Sequence, residues 1–179
     1  MSGAKRGHPR KHPAHQLCRC FEGSRLATFA RPGLEVLEAE HKDTISGGAG
    51  VACGVPLDRA WKDVDDQIER WDYVFTMRAA GPARSAAATA KPAAVAARSV
   101  EAVAVEVHHA TAEEVPKMIA KKRQADALLA AEAPAISVQA WVWIASPPAG
   151  EVFLLRQSPS ARLLAEAGIE FPRARLALP

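Results

Sequence analysis

The stretch Ser99 to Ile144 constrains this chain more than any other. Val100-Glu101-Ala102-Val103-Ala104-Val105-Glu106-Val107-His108 places valines at two-residue spacing with alanines between them, so a β-strand apolar on both faces is predicted. Such a strand needs cover on each side, which puts it inside a sheet rather than at its surface. Val103, Val105 and Val107 share one face; Ala102, Ala104, Glu106 and His108 share the other. The polar pair Glu106 and His108 sits at the strand's carboxyl end.

Thr111-Ala112-Glu113-Glu114 matches a capping box, and Pro116 offers a second start, preset for a first helical turn. From either start the helix runs to about Ala131. At about 100° per residue, Val115, Met118, Ile119, Ala125 and Leu129 form one apolar stripe, with Lys122 in its middle and Lys121 well off it. A lysine within such a stripe needs a partner for its ammonium or a route to water. Two accounts fit Lys122: an ion pair with Asp126 four residues on, or a position over the sheet aimed at Glu106. Ser137 to Ile144 is a second apolar strand carrying Trp141 and Trp143. Strand, long helix, strand implies a right-handed parallel crossover.

Around this unit the chain reads as a single α/β domain over residues 17–179, with a mixed sheet and flanking helices. Its 179 residues, 49% hydrophobic and 24% charged, suffice for a substantial core. Residues 1–16 read as a disordered basic tail carrying Lys5, Arg6, Arg10 and Lys11. With a net charge of only +3, such a tail can touch phosphate or any acidic surface without specifying either. No run of about 18 apolar residues is present, so no membrane partner is expected. The basic start lacks an apolar segment behind it, and a cytoplasmic location is expected.

Leu57 to Arg70 is predicted as a helix, with Leu57, Trp61, Val64 and Ile68 on one side and an acidic run on the other. Trp71 to Met77 is predicted as a strand, with Asp72 at its entry as either a surface group or a site carboxylate. Residues 79–98, eleven of them alanine, form a low-complexity insertion whose Arg84, Lys91 and Arg98 add positive charge. Gly47-Gly48-Ala49-Gly50 marks a turn without the lysine of a phosphate loop. Glu151 to Arg156 is predicted as a strand antiparallel to its predecessor, and Pro159 to Ala167 as a helix stopped by Gly168.

Cys18 and Cys20, with Cys53, make an odd set that does not suggest a disulfide framework. With His12 and His15 they offer a weak Zn²⁺ donor set, the alternative being small buried thiols beside a histidine-rich tail.

The order helix, strand, strand, helix, strand, with Asp72 and Glu106 on the first two strands, resembles the restriction-endonuclease-like (PD-(D/E)xK) nuclease core. The resemblance covers about residues 57–144. It implies that Asp72 and Glu106 hold Mg²⁺ or Mn²⁺ and that a lysine near them orients the attacking water on DNA or RNA. His108 stands where the family's lysine would follow Glu106, so the resemblance assigns that role to Lys122 on the helix. His108 is then a further metal ligand or proton carrier, unless it simply pairs with Glu106. The rival expectation is a binding or assembly module whose Trp141 and Trp143 present a surface to a protein partner. Oligomeric state is not legible in the sequence.

Overall fold

The computed structural model describes residues 18–64, 69–78, 99–146 and 152–179. A six-stranded mixed sheet runs in the order β1 (Arg31–Pro32), β3 (Val51–Pro56), β4 (Tyr73–Met77), β5 (Val100–His108), β6 (Ile136–Ala145) and β7 (Ile169–Arg173). Each neighbouring pair among the first four of these strands is antiparallel, whereas β5, β6 and β7 run parallel. A second, two-stranded parallel sheet joins β2 (Ile45–Gly47) to β8 (Leu176–Leu178). The α/β architecture expected from the sequence is therefore present.

The helices are α1 (Leu57–Ala60), α2 (Val115–Glu132), α3 (Val152–Arg156) and α4 (Ser160–Glu166). The crossover from β5 through α2 to β6 is the parallel unit that the two apolar strands demanded. Ala102 and Ala104 of β5 meet Val115, Met118, Ala125 and Leu129 of α2 in one core layer. Small alanines on that face leave room for the helix. Val105 of β5 joins Tyr73, Phe75, Val142 and Ile144 in a second layer, covered by Val36, Leu37 and the β2–β8 pair. Sheet alternation thus divides the apolar residues between two cores.

Four expectations are corrected. The helix foreseen from Leu57 to Arg70 begins as expected but closes at Trp61 after one turn, residues 61–64 form turns, and residues 65–68 lie outside the described residues. Aspartate is a poor helix former, and Asp63 follows directly on the turn. Val152 to Arg156 is helical, not a strand, because the place beside β6 is taken by β7 in parallel. A short apolar run does not by itself distinguish the two states. The capping box does not form: α2 begins at Val115 with Pro116 in its first turn, and no side chain caps it. Glu114 is engaged elsewhere.

The fourth correction concerns the cysteines. Cys18 forms a disulfide with Cys53 of β3, tying the start of the described chain to the sheet across 35 positions. That leaves no Cys18 thiolate for zinc. Cys20 is free, and its thiol donates to Thr76 Oγ1 at 3.8 Å. His12 and His15, the basic tail and the insertion at 79–98 lie outside the described residues. Among the described residues, no helix is long and apolar enough to cross a membrane.

Candidate functional site

The site forms where β4 and β5 separate. Asp72 precedes β4, and the last rung between the strands pairs Tyr73 with Val105. Beyond that rung, side chains replace the ladder. The Asp72 backbone N–H donates to Glu106 Oε2 at 2.9 Å, while the Val107 N–H donates to Asp72 Oδ2 at 2.8 Å. Each residue thus satisfies a backbone group at the other strand, which holds the two carboxylates side by side. The Asp72 carbonyl in turn accepts from the Leu57 N–H of α1 at 2.7 Å.

Lys121 of α2 completes the constellation by donating its Nζ to Glu106 Oε1. Glu106 is 1% exposed and the Lys121 side chain 11%. Burial of a carboxylate favours its neutral form, and the nearby Asp72 charge pushes the same way. Together they outweigh Lys121 and the two hydrogen bonds, raising Glu106 to about 8. Burial likewise raises Asp72, against the Val107 N–H and the charges of Lys121 and His41. The two carboxylates titrate as a pair.

Lys122 does not reach this site. Its Nζ donates to Asp126 Oδ2 at 2.7 Å and lies 4.9 Å from the centre of the Trp141 ring. The first of the two accounts open for this residue is therefore the observed one. The helix straddles β5 and β6, so its flanks look onto different strands: Lys122 meets Trp141 of β6, and Lys121 meets Glu106 of β5. The helical wheel placed Lys121 off the apolar stripe, but a four-carbon stem reaches inward from the edge of such a stripe. The signal available in the sequence was two adjacent lysines beside a stripe ending over a buried acid.

His108 is not joined to Glu106. Its Nε2 is 3.0 Å from Glu114 Oε2, which also lies 3.7 Å from Lys117 Nζ. Lys117 continues to Glu69 at 3.6 Å. These residues make a charged rim beside the carboxylates, and the expected Asp72, Glu106 and His108 ligand set is not assembled. His109 contacts Ser146 Oγ at 3.2 Å. Trp141 and Trp143 are core residues, 5% and 0% exposed, so the aromatic partner surface is absent. Trp143 Nε1 instead donates to the His108 carbonyl at 3.2 Å, and Trp141 packs edge-on against Trp71.

Hard oxygen donors on adjacent strands suit Mg²⁺ or Mn²⁺, which are commonly held by one or two carboxylates and otherwise by water and substrate oxygens. Among the described residues, no group of three His, Cys, Asp or Glu side chains could hold a metal ion. The pair is two carboxylates, Glu106 buried and Asp72 half-buried, each accepting a backbone N–H from the other strand. Comparison with protein-family models, with curated proteins and with solved structures finds no match to this chain.

Proposed function

We propose that this chain is a divalent-metal-dependent phosphodiesterase of nuclease type, with Asp72 and Glu106 as the metal-holding carboxylates and Lys121 as the cationic group beside them. The observation that carries this reading is the convergence of an aspartate before one strand, a buried glutamate on the next and a helix-borne lysine on a single point. The sheet adds support, since an antiparallel run followed by a parallel crossover accords with the nuclease core that the sequence resembles.

When bound, the cation supplies Lewis acidity and a water of lowered pKa. The protein's own groups do the rest. Asp72 keeps one oxygen on the Val107 N–H, which fixes the direction of the other. Lys121 donates to Glu106 at rest and can turn one of its N–H groups to a phosphate oxygen as substrate arrives.

The test is cleavage of single- and double-stranded DNA and RNA in Mg²⁺ or Mn²⁺ by the wild type, Asp72→Asn and Lys121→Ala. Cleavage by the wild type alone supports the proposal, with losses of about 100-fold or more in each variant, the scale of a missing charge-stabilising group. A folded wild type without cleavage, or variants that cleave as well as it does, would overturn it.

A further inference from the structure

Three sulfurs gather where the start of the described chain meets the β3–β4 pair. Cys18 and Cys53 are bonded, with Cα atoms 5.5 Å apart, and Cys20 carries a free thiol. Cys53 of β3 stands opposite Thr76 of β4, and opposed residues of an antiparallel pair share a face with Cβ atoms roughly 5 Å apart. The Cys20 thiol is 3.8 Å from Thr76 Oγ1, whose hydroxyl donates to the Cys53 carbonyl at 3.3 Å. The third sulfur is therefore held over the rung that carries the disulfide.

Local structure brings Cys20 to the same place. Cys18 and Cys20 lie on either side of the exposed Arg19 at the 3₁₀ turn Arg19–Phe21, and both pack against the core layer that contains Cys53. Two backbone bonds hold the turn, from the Phe21 N–H to the Cys18 carbonyl at 3.1 Å and from the Glu22 N–H to the Arg19 carbonyl at 3.0 Å. Reorienting so short a turn disturbs few hydrogen bonds. Phe21, fully buried, keeps it against the sheet meanwhile. A thiolate that attacks one sulfur of a disulfide displaces the other, with no external oxidant or reductant. Burial raises the Cys20 thiol, against its hydrogen bond to Thr76, and so keeps it protonated at rest.

We infer that Cys18, Cys20 and Cys53 form an exchangeable tether in which Cys20 is the internal nucleophile. Cys20 Sγ, as thiolate, bonds to Cys53 Sγ; the Cys18–Cys53 bond breaks; Cys18 leaves as a thiolate and takes up the proton that Cys20 gave up. One disulfide and one thiol are present before and after, so nothing is oxidised or reduced overall. The anchor on β3 moves from residue 18 to residue 20. The free thiol moves from its place beside Thr76 to Cys18, which is then untied from the sheet. This inference does not depend on the nuclease reading.

The test is disulfide mapping of the folded protein. Wild type is held at pH 8 with a bulky maleimide and no added thiol or oxidant, quenched in acid, digested without reduction and read by mass spectrometry. Chains labelled on Cys18 and linked Cys20–Cys53 are expected to accumulate over minutes to hours, the range of uncatalysed disulfide rearrangement. Cys20→Ser keeps a hydroxyl beside Thr76, and is expected to show no label and only the Cys18–Cys53 link; Cys20→Ala is the second variant should the first not fold. Label confined to Cys20 with the original link, an unlabelled wild type, or label on Cys18 in a chain lacking Cys20 would overturn the inference. A labelling rate that rises with urea in step with global unfolding would also overturn it, by placing the exchange in the unfolded chain. A rate unchanged at low urea supports exchange within the fold.

Discussion

Glu106 combines almost complete burial with an ionisable carboxyl, and the consequences reach beyond the site. In the folded chain it holds its proton up to about 8, while in the unfolded chain it loses it in the usual carboxylate range. Between those limits the folded state binds more protons, so stability from this group is present at low pH and lost as pH rises through 8. Glu106→Gln cannot titrate, and should flatten the fall in stability between pH 5 and pH 8.5 by on the order of 4 kcal/mol. The slope is the informative quantity, since Gln also leaves Lys121 without its anion. Urea unfolding of both proteins at several pH values measures it, and parallel pH profiles would contradict the assignment. The two lysines give a sharper contrast. Lys121→Ala leaves a buried acid without its cation, and should cost about 3 kcal/mol above pH 8, where Glu106 is ionised, and less at pH 6, where it is neutral. Lys122→Ala removes a pair with the half-exposed Asp126 and a ring contact, and should cost about 1 kcal/mol. Chemical denaturation ranks them. At this scale the sequence exposed the acids and the need for a lysine, because charged groups among valines and alanines stand out. Which lysine served was not legible, since it depends on where the helix axis lies over the two strands.

Among the elements, β5, α2 and β6 were readable because their periodicities are long and unambiguous, and each periodic face is buried as expected. The elements that escaped are short. Val152 to Arg156 is five residues of apolar sequence whose state is decided by the place β7 occupies beside β6, information carried by residues 169–173. Cys18 and Cys53 were likewise opaque, because their encounter depends on how the segment after residue 18 folds against β3. Their disulfide anchors the three-residue turn of 3₁₀ helix at Arg19–Phe21, whose Phe21 is fully buried. Reduction should therefore lower global stability by about 4 kcal/mol, the amount expected for opening a loop of this length. Calorimetry of the oxidised protein, the reduced protein and Cys18→Ser measures this. Cys18→Ser should match the reduced wild type, and no loss in either would show that burial of Phe21 alone holds the segment.

The whole molecule converts these local arrangements into one measurable linkage. The sheet's connectivity brings residues 72, 106 and 121 together from three separate elements, so a ligand held by Asp72 and Glu106 binds the folded chain and has no equivalent site in the unfolded one. Such a ligand must raise the melting temperature. At 100 times its dissociation constant the stabilisation is about 2.7 kcal/mol, which for a chain of this size corresponds to roughly 5–10 °C. Protons and the cation compete for the same two carboxyls, and burial raises both, Glu106 to about 8. At a fixed Mn²⁺ concentration the shift should therefore be small at pH 6 and grow as pH approaches 8.5, opposite in direction to the metal-free protein's own decline. Lys121 bears on the same balance, because it occupies the Glu106 oxygen that a cation would share. Lys121→Ala should thus keep a Mn²⁺-dependent shift even where cleavage is lost, whereas Asp72→Asn should abolish it at every pH. Differential scanning fluorimetry across this pH range, with Mn²⁺ and with a chelator, reads the result directly. A shift that is independent of pH, or one that persists in Asp72→Asn, would place the cation somewhere other than between these two strands.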